Sequence, residues 1–349
     1  MAMWRLAQRV QFFAVFFVLL TATAFGDAPP AELYKQAAGP FAVESKRMEL
    51  PRSEGKPLQI RVTWPVDEKP CAIVVFSHGA LGSRDAYDPL IRHWASHGYI
   101  CIQPTHGDSL SLMSDEQRRR LGTIERAVQN PQVTQHWRTR PADVSFVIDS
   151  LDRIEEETPT LKGRLNRDRI VSAGHSFGAH TAMLVGGASA KPAIGRRMTL
   201  TDTRVRAIVA ISPQGVGGVF DEDSYRSIRV PAFMVTGTND ESPGRDDRGA
   251  AWRTKAFELA PPESTYLLFI EGAHHNFGGI SGARNFPSAG ASNPDHVKHV
   301  CSATLAFLDA VLKDEDAAKA YLDGNEVETR SQGAARVQRR AQEVKQSEE

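Results

Sequence analysis

The sequence predicts an α/β protein with a mostly parallel central sheet, helices on both faces and no large cap domain. Three observations predict it. The 349 residues, 41% hydrophobic and 24% charged, suit a globular chain with one core of about 250–300 residues. Short, continuously apolar runs alternate with amphipathic stretches, as they do where strands buried on both faces are joined by helices. Between Ile211 and Pro231 there is room only for a loop, too little for an inserted cap.

The elements follow in order. Residues 43–50 and 58–64, joined by the polar Arg52-Ser53-Glu54-Gly55-Lys56, read as an opening β-hairpin. Ala72-Ile73-Val74-Val75-Phe76 is a strand with no polar face. Asp85 is placed to cap a helix whose apolar side is Tyr87, Leu90, Ile91 and Trp94, closed by Gly98. Tyr99-Ile100-Cys101-Ile102 is the next strand. Residues 107–139 then form an insertion with a charged helical piece over 115–128. Pro141 opens a helix with the stripe Val144, Val147, Ile148, Leu151 and Ile154. Strands are expected at 169–173, 205–211, 232–236 and 266–270, with a small-residue helix from about 179 and a closing helix at about 297–312. From Asn325 the chain becomes rich in Gln, Arg and Glu, so residues 325–349 read as a polar tail, solvated as a helix or without structure. Residues 27–324 are assigned to the folded domain.

The first 26 residues read as a segment apart. Arg5 and Arg9 precede an apolar run from Val10 to Leu20, and Ala22-Thr23-Ala24 or Ala24-Phe25-Gly26 supplies small residues for cleavage. This is the pattern of a secretory signal peptide, too short for a membrane span, and it leads us to expect a secreted or periplasmic protein. Lys+Arg and Asp+Glu both number 42, so no charge excess favours nucleic acid. The three cysteines, Cys71, Cys101 and Cys301, are too few for a disulfide scaffold. Buried free thiols are the expected state; a Cys71–Cys101 bridge, on strands expected to be neighbours, is the alternative.

The chemistry concentrates at Gly174-His175-Ser176-Phe177-Gly178. A strand precedes this pentapeptide and a helix follows it, which makes it a nucleophile elbow that lifts a serine hydroxyl above the sheet. A serine needs a histidine to take its proton and a carboxylate to orient that histidine. Asp240 tops the strand ending at Thr236, with Asp246 and Asp247 as rivals. His275 follows the last strand, with His274 as its rival. Both positions lie at carboxyl ends of strands, the ligand edge of open α/β sheets. Asp221 and Asp223 read as surface charges. An oxyanion needs two backbone N–H donors. Phe177, after the nucleophile, supplies one. Ala80 in the loop Ser77-His78-Gly79-Ala80-Leu81-Gly82-Ser83 supplies the other, with Leu81 behind it and His78 as a loop-positioning residue. His296 and His299 share a helix face without an evident third ligand, and no metal or cofactor is expected.

The segments Phe76 to Arg84, Arg140-Pro141-Ala142-Asp143-Val144-Ser145-Phe146, the elbow, and Thr236 to Pro243 together resemble bacterial α/β-hydrolases of the platelet-activating-factor acetylhydrolase and dienelactone-hydrolase group. The resemblance covers roughly 41 to 312. It implies the α/β-hydrolase fold and a serine esterase for short or oxidised acyl esters, free of metal and cofactor. One departure stands out. In the animal acetylhydrolases the acid follows the strand after the nucleophile, where this chain has Ser212-Pro213, so the role falls to Asp240.

The resulting expectation is an exported carboxylic-ester hydrolase that uses Ser176, His275 and Asp240 with the Ala80 and Phe177 amides. Its partner is a small-molecule or lipid ester. The insertion and the 276–296 loop are expected to wall a shallow cleft suited to acyl groups of about two to six carbons. Cutinase-like polyester hydrolysis and phospholipid acetyl hydrolysis are narrower alternatives. A non-catalytic binding protein on a hydrolase shell would be marked by a lost triad member, and none is lost. A peptidase is disfavoured by the lack of a propeller or large cap.

Overall fold

In a computed structural model, residues 32–341 are described, apart from 68, 244–247, 263 and 283–288; the proposed signal segment, Asp246 and Asp247 lie outside the described residues. The strands are β1 (Val43–Leu50), β2 (Leu58–Pro65), β3 (Cys71–Ser77), β4 (Tyr99–Pro104), β5 (Leu165–His175), β6 (Val205–Ile211), β7 (Ala232–Asn239), β8 (Thr265–His274) and β9 (Ala335–Arg339). They form one nine-stranded sheet in the order β1-β2-β4-β3-β5-β6-β7-β8-β9. Strands β3 to β8 pair in parallel, and antiparallel strands flank them on both sides.

Alternation along the parallel strands builds the two layers. Ile73, Val75, Ile100 and Ile102 face a core shared with the helices Thr139–Asp149, Leu151–Glu157 and Phe177–Val185. Ala72, Val74, Phe76, Tyr99 and Cys101 face the opposite core, with Asp88–Ser96 and Pro294–Leu312. Every residue of β3 is buried, which explains a run with no polar face. All three cysteines are free and buried. Burial pushes the Cys301 thiol up to about 12, so it stays protonated and apolar in character.

The order of strands fixes where a site can lie. From β3 the chain moves to β4 on one side and to β5 on the other, so the crevice at the carboxyl ends of β3 and β5 is the topological switch point. The loop after β3 and the turn after β5 open there.

Three sequence readings need correction. Asp85 does not cap the first helix, which runs Asp88–Ser96 behind Tyr87 with no side-chain cap. Pro89 sets its first turn, and Asp85 instead pairs with Arg47. The charged piece of the insertion is two helices, Asp115–Leu121 and Ile124–Ala127, parted by Gly122 in the left-handed region at φ 73°. The described part of the polar tail, through residue 339, belongs to the fold. Residues Glu326–Arg330 form a helix, and β9 pairs with β8 from Ala335↔Ile270 to Arg339↔Tyr266. Val327 and Ala335 are buried, Arg336 bonds Glu271, and its guanidinium covers the ring of Phe269. The outward faces are charged, so the composition hides a strand that closes the sheet edge. Among the described residues, no helix is long and apolar enough to cross a membrane.

The edge pairing has a measurable consequence. A chain ending at residue 324 exposes the β8 ladder and the contacts of Val327 and Ala335. Its Tm should fall by several degrees and its aggregation on heating should rise, read by calorimetry and light scattering. An unchanged Tm would mean that the ninth strand contributes nothing to stability.

Candidate active site

Ser176 sits between β5 and the helix Phe177–Val185 with φ 55° and ψ −117°, a backbone strain that surrounding contacts must hold. A Cβ on Gly178 would lie 1.9 Å from the carbonyl oxygen of Ser77, and one on Gly174 would lie 2.4 Å from the Gly178 carbonyl. Glycine is therefore required at both positions for the two backbones to approach. The Ser176 amide donates to the Ile211 carbonyl at 2.8 Å, which ties the turn to β6.

The end of β8 brings His275 to this turn. Its Nε2 lies 3.0 Å from Ser176 Oγ, and its Nδ1 lies 2.7 Å from Asp240 Oδ1. His274 is exposed, with a 3.5 Å contact to Asn239. Asp240 is fully buried. Its carboxylate accepts from Thr236 Oγ1 at 2.9 Å and from Ser212 Oγ at 2.8 Å. The hydroxyl of Ser212, the residue after β6, is also 3.0 Å from His275 Nδ1.

A residue without any local sequence signal completes this corner. Arg253 is buried, and its Nε lies 3.0 Å from Asp240 Oδ1 and donates to the Asp240 backbone carbonyl at 2.7 Å. Its Nη1 donates to the carbonyls of Ser212 and Pro213, and its Nη2 to Ser242 Oγ, with His275 Nδ1 3.2 Å away. Burial works to raise the Asp240 pKa, but Arg253, His275 and Ser212 outweigh it and hold the carboxyl below its usual value. Burial lowers the His275 pKa; Asp240 opposes that shift and Arg253 adds to it.

On the other side of Ser176, a second buried arginine organises the loop after β3. Arg140 is bidentate to Asp108, with Nε–Oδ1 2.9 Å and Nη2–Oδ2 2.8 Å. It donates to the His78 carbonyl at 2.6 Å and to the Gly79 carbonyl at 3.3 Å, and it lies 4.3 Å over the ring of Phe177. Asp108 accepts the Leu81 amide at 3.0 Å, and Tyr87 Oη accepts the Gly79 amide at 3.0 Å. With both neighbours engaged, Ala80 is the residue of this stretch whose amide is left over. Phe177 begins its helix, so its amide has no intrahelical acceptor. Burial acts to raise the Asp108 pKa, but the charge of Arg140, reinforced by the Leu81 amide, holds it far below its usual value.

The two sides are joined through the histidine of the elbow. His175 Nε2 lies 2.7 Å from the His275 carbonyl, which can only accept, so that nitrogen carries the proton. Nδ1 therefore accepts from Tyr87 Oη at 2.9 Å. The result is a continuous chain from the Gly79 amide through Tyr87 and His175 to the backbone of His275. Burial, with the neighbouring His275, takes the His175 pKa to about 3, so this link stays uncharged.

Two cavities, of about 460 and 280 Å³, are both lined by Ser176 and Ala80. The insertion contributes walls to each, as expected. The 276–296 loop, expected as the other wall, is joined there by a further segment. Among the described residues that loop gives Ser281, while the β6–β7 connection supplies Gln214 and Gly217 to Phe220. Asp221 and Asp223 stay out of both cavities; Asp221 caps the helix Glu222–Arg226 and pairs with Arg197. Among the described residues, no group of three or more His, Cys, Asp or Glu side chains could hold a metal ion.

A model of the Alpha/beta hydrolase family matches residues 74–340, and the chain belongs to that family. It is also similar to two curated proteins. One is the platelet-activating factor acetylhydrolase of Cavia porcellus, 24% identical over 262 residues, covering 66% of this chain and 52% of the relative. The other is the platelet-activating factor acetylhydrolase of Bos taurus, 24% identical over 236 residues, covering 59% and 47%. The chain thus spans about half the length of these relatives.

The Arg140–Asp108 pair makes a stability prediction. Arg140→Met leaves a buried carboxylate unpaired and should cost about 3–5 kcal/mol, measured by urea denaturation at pH 7. The depressed carboxyl pKa sets the sign with pH: its contribution is complete above the ordinary Asp value near 3.9 and is lost as pH falls through the lower folded value. The stability gap between wild type and Asp108→Asn should therefore shrink on acidification below about pH 4. A gap that instead widened there would contradict the pairing.

Proposed function

We propose that this protein is an exported serine hydrolase of carboxylic esters. The observation that carries the reading is the hydrogen-bonded run Ser176 Oγ–His275 Nε2–Asp240, at 3.0 and 2.7 Å, opening onto cavities beside two unengaged amides. Ser176 Oγ attacks the ester carbonyl while His275 Nε2 takes its proton. The oxyanion is bound by the Ala80 and Phe177 N–H groups. His275 returns the proton to the leaving alcohol, and water, activated by the same nitrogen, releases the acid from the acyl-enzyme. Asp240 holds Nδ1–H and stabilises the imidazolium. Export rests on the basic and apolar residues before position 27. The likeness to the two acetylhydrolases supports ester hydrolysis as the class of reaction.

A fluorophosphonate probe should label Ser176 alone, because only an activated hydroxyl reacts quickly. Ser176→Ala should abolish labelling and lower kcat by about 10⁴-fold or more with little change in Tm. Persistent labelling of that variant would falsify the nucleophile. Asp240→Asn should cost about 10⁴-fold in kcat, and His275→Ala should be far worse than His274→Ala.

The pH profile tests the electrostatics. The base must be neutral, and burial together with Arg253 lowers its pKa while Asp240 opposes. The acid limb of kcat/KM should therefore lie below the ordinary histidine value of about 6.5. Arg253→Gln should move that limb upward. A downward shift would show that Arg253 does not act on His275 through its charge.

A further inference from the structure

The two cavities at Ser176 are not equivalent, and the difference assigns them. His275 lines the smaller, about 280 Å³, together with Tyr87, Leu110 and Ile124. It is absent from the lining of the larger, about 460 Å³, which has Trp137, Phe177, Phe220 and Trp252 on its walls. In the tetrahedral intermediate the former carbonyl carbon bears four groups: Ser176 Oγ, the oxyanion, the leaving oxygen and the acyl carbon. When that intermediate collapses, the bond to the leaving oxygen breaks as His275 Nε2 delivers its proton. The leaving oxygen must then lie within hydrogen-bond reach of that nitrogen. The alcohol is thereby directed into the chamber that holds His275, and the acyl carbon into the other.

Resting on the esterase reading above, we infer that the substrate is an ester of a bulky, planar aromatic acid with a compact alcohol, the acyl ring occupying the larger chamber. Four aromatic side chains reach that chamber from separate parts of the chain. Trp137 comes from the insertion, Phe177 from the elbow helix, Phe220 from the β6–β7 connection and Trp252 from the helix Ala250–Arg253. Aromatic walls favour a flat guest through offset and edge-to-face contacts. His180, one turn beyond Ser176, shares this wall 4.3 Å from the ring of Phe220, and burial takes its pKa to about 3. Its imidazole is therefore neutral and brings no charge to this wall. An acyl group of two to six carbons would leave much of this volume unfilled, so the short-acyl expectation gives way to a larger acid.

The test holds one half of the ester fixed while the other grows. Methyl acetate, methyl butyrate, methyl benzoate and methyl 2-naphthoate vary the acid. Ethyl, benzyl and 2-naphthylmethyl acetate vary the alcohol among leaving groups of similar basicity. After division by each ester's alkaline hydrolysis rate, kcat/KM should rise at least about tenfold from methyl acetate to the aryl acids and should fall along the alcohol series. Val219→Trp, which fills the larger chamber, should remove most of the aryl-acid advantage, read as a fall in the ratio of methyl 2-naphthoate to methyl acetate kcat/KM. Ile124→Trp, in the smaller chamber, should slow ethyl acetate more than methyl 2-naphthoate. A preference for bulky alcohols, or a Val219→Trp effect confined to the alcohol series, would overturn the assignment; the wild-type series decides even if a variant fails to fold. If methyl acetate is hydrolysed and Ser176 is labelled without any aryl preference, the chamber assignment alone falls. If no ester is hydrolysed and Ser176 is not labelled, the esterase reading falls with it.

Discussion

The site depends first on one steric contact, the approach of Gly178 to the Ser77 carbonyl. No side chain fits between these backbones, since a Cβ on Gly178 would lie 1.9 Å from that oxygen. Closing this gap seats the elbow helix against the end of β3 and places the Phe177 amide beside the loop that carries Ala80. The same closure forces Ser176 to φ 55°, a conformation that L-residues adopt only under constraint. Strain at the serine and juxtaposition of the two amides are therefore consequences of a single packing event between β3 and β5.

Two buried arginines then fix what sterics leave free. Arg140 and Arg253 are among the largest fully buried side chains of the protein, and each satisfies several backbone carbonyls while neutralising one aspartate. Removing both charges of such a pair can be neutral, but removing one is costly. The charges are thus better understood as fixing geometry than as adding stability. Arg140 sets the direction of the loop after β3 by holding the carbonyls of His78 and Gly79. Arg253 ties the Asp240 loop to the end of β6 through Ser212 and Pro213. The guanidinium fork suits this task, because it donates to several acceptors in one plane.

Much of this was legible in the sequence, for identifiable reasons. The apolar runs at 72–76 and 205–211 read as buried strands because both faces of a parallel strand are covered. The elbow read clearly because two glycines flank a serine between a strand and a helix. Less was legible where charge covers structure. The strand Ala335–Arg339 puts Arg336 and Gln338 on one face and Ala335, Val337 and Arg339 on the other, so only Ala335 and Val337 carry an apolar signal. Arg253 left no trace, since an arginine on a short helix gives no sign of burial until the chain folds it against Asp240. Asp108 and Arg140 flank the insertion at opposite ends, and a pairing over that distance has no local pattern. The choice between His275 and His274 was likewise beyond residue type, because the register of β8 decides which ring turns inward.

The buried network behind the site shows why residue type and spacing are insufficient evidence for chemistry. Ser77 Oγ lies 3.0 Å from His106 Nε2, and His106 Nδ1 lies 2.7 Å from Asp143 Oδ2. These distances nearly repeat those of Ser176, His275 and Asp240. Yet Ser77 and His106 have no exposed surface, Asp143 is 5% exposed, and none of the three lines either cavity. Asp143 is further committed to Arg52. Burial, with Arg140 next to it, lowers the His106 pKa, so its neutral ring serves as a fixed bridge from β3 to the helix Thr139–Asp149. The same three side-chain types thus form a brace at one place and an opening onto two chambers at another. What separates them is the strained turn that lifts Ser176 clear of the sheet: Ser77 lies within its strand, with its hydroxyl enclosed by the core.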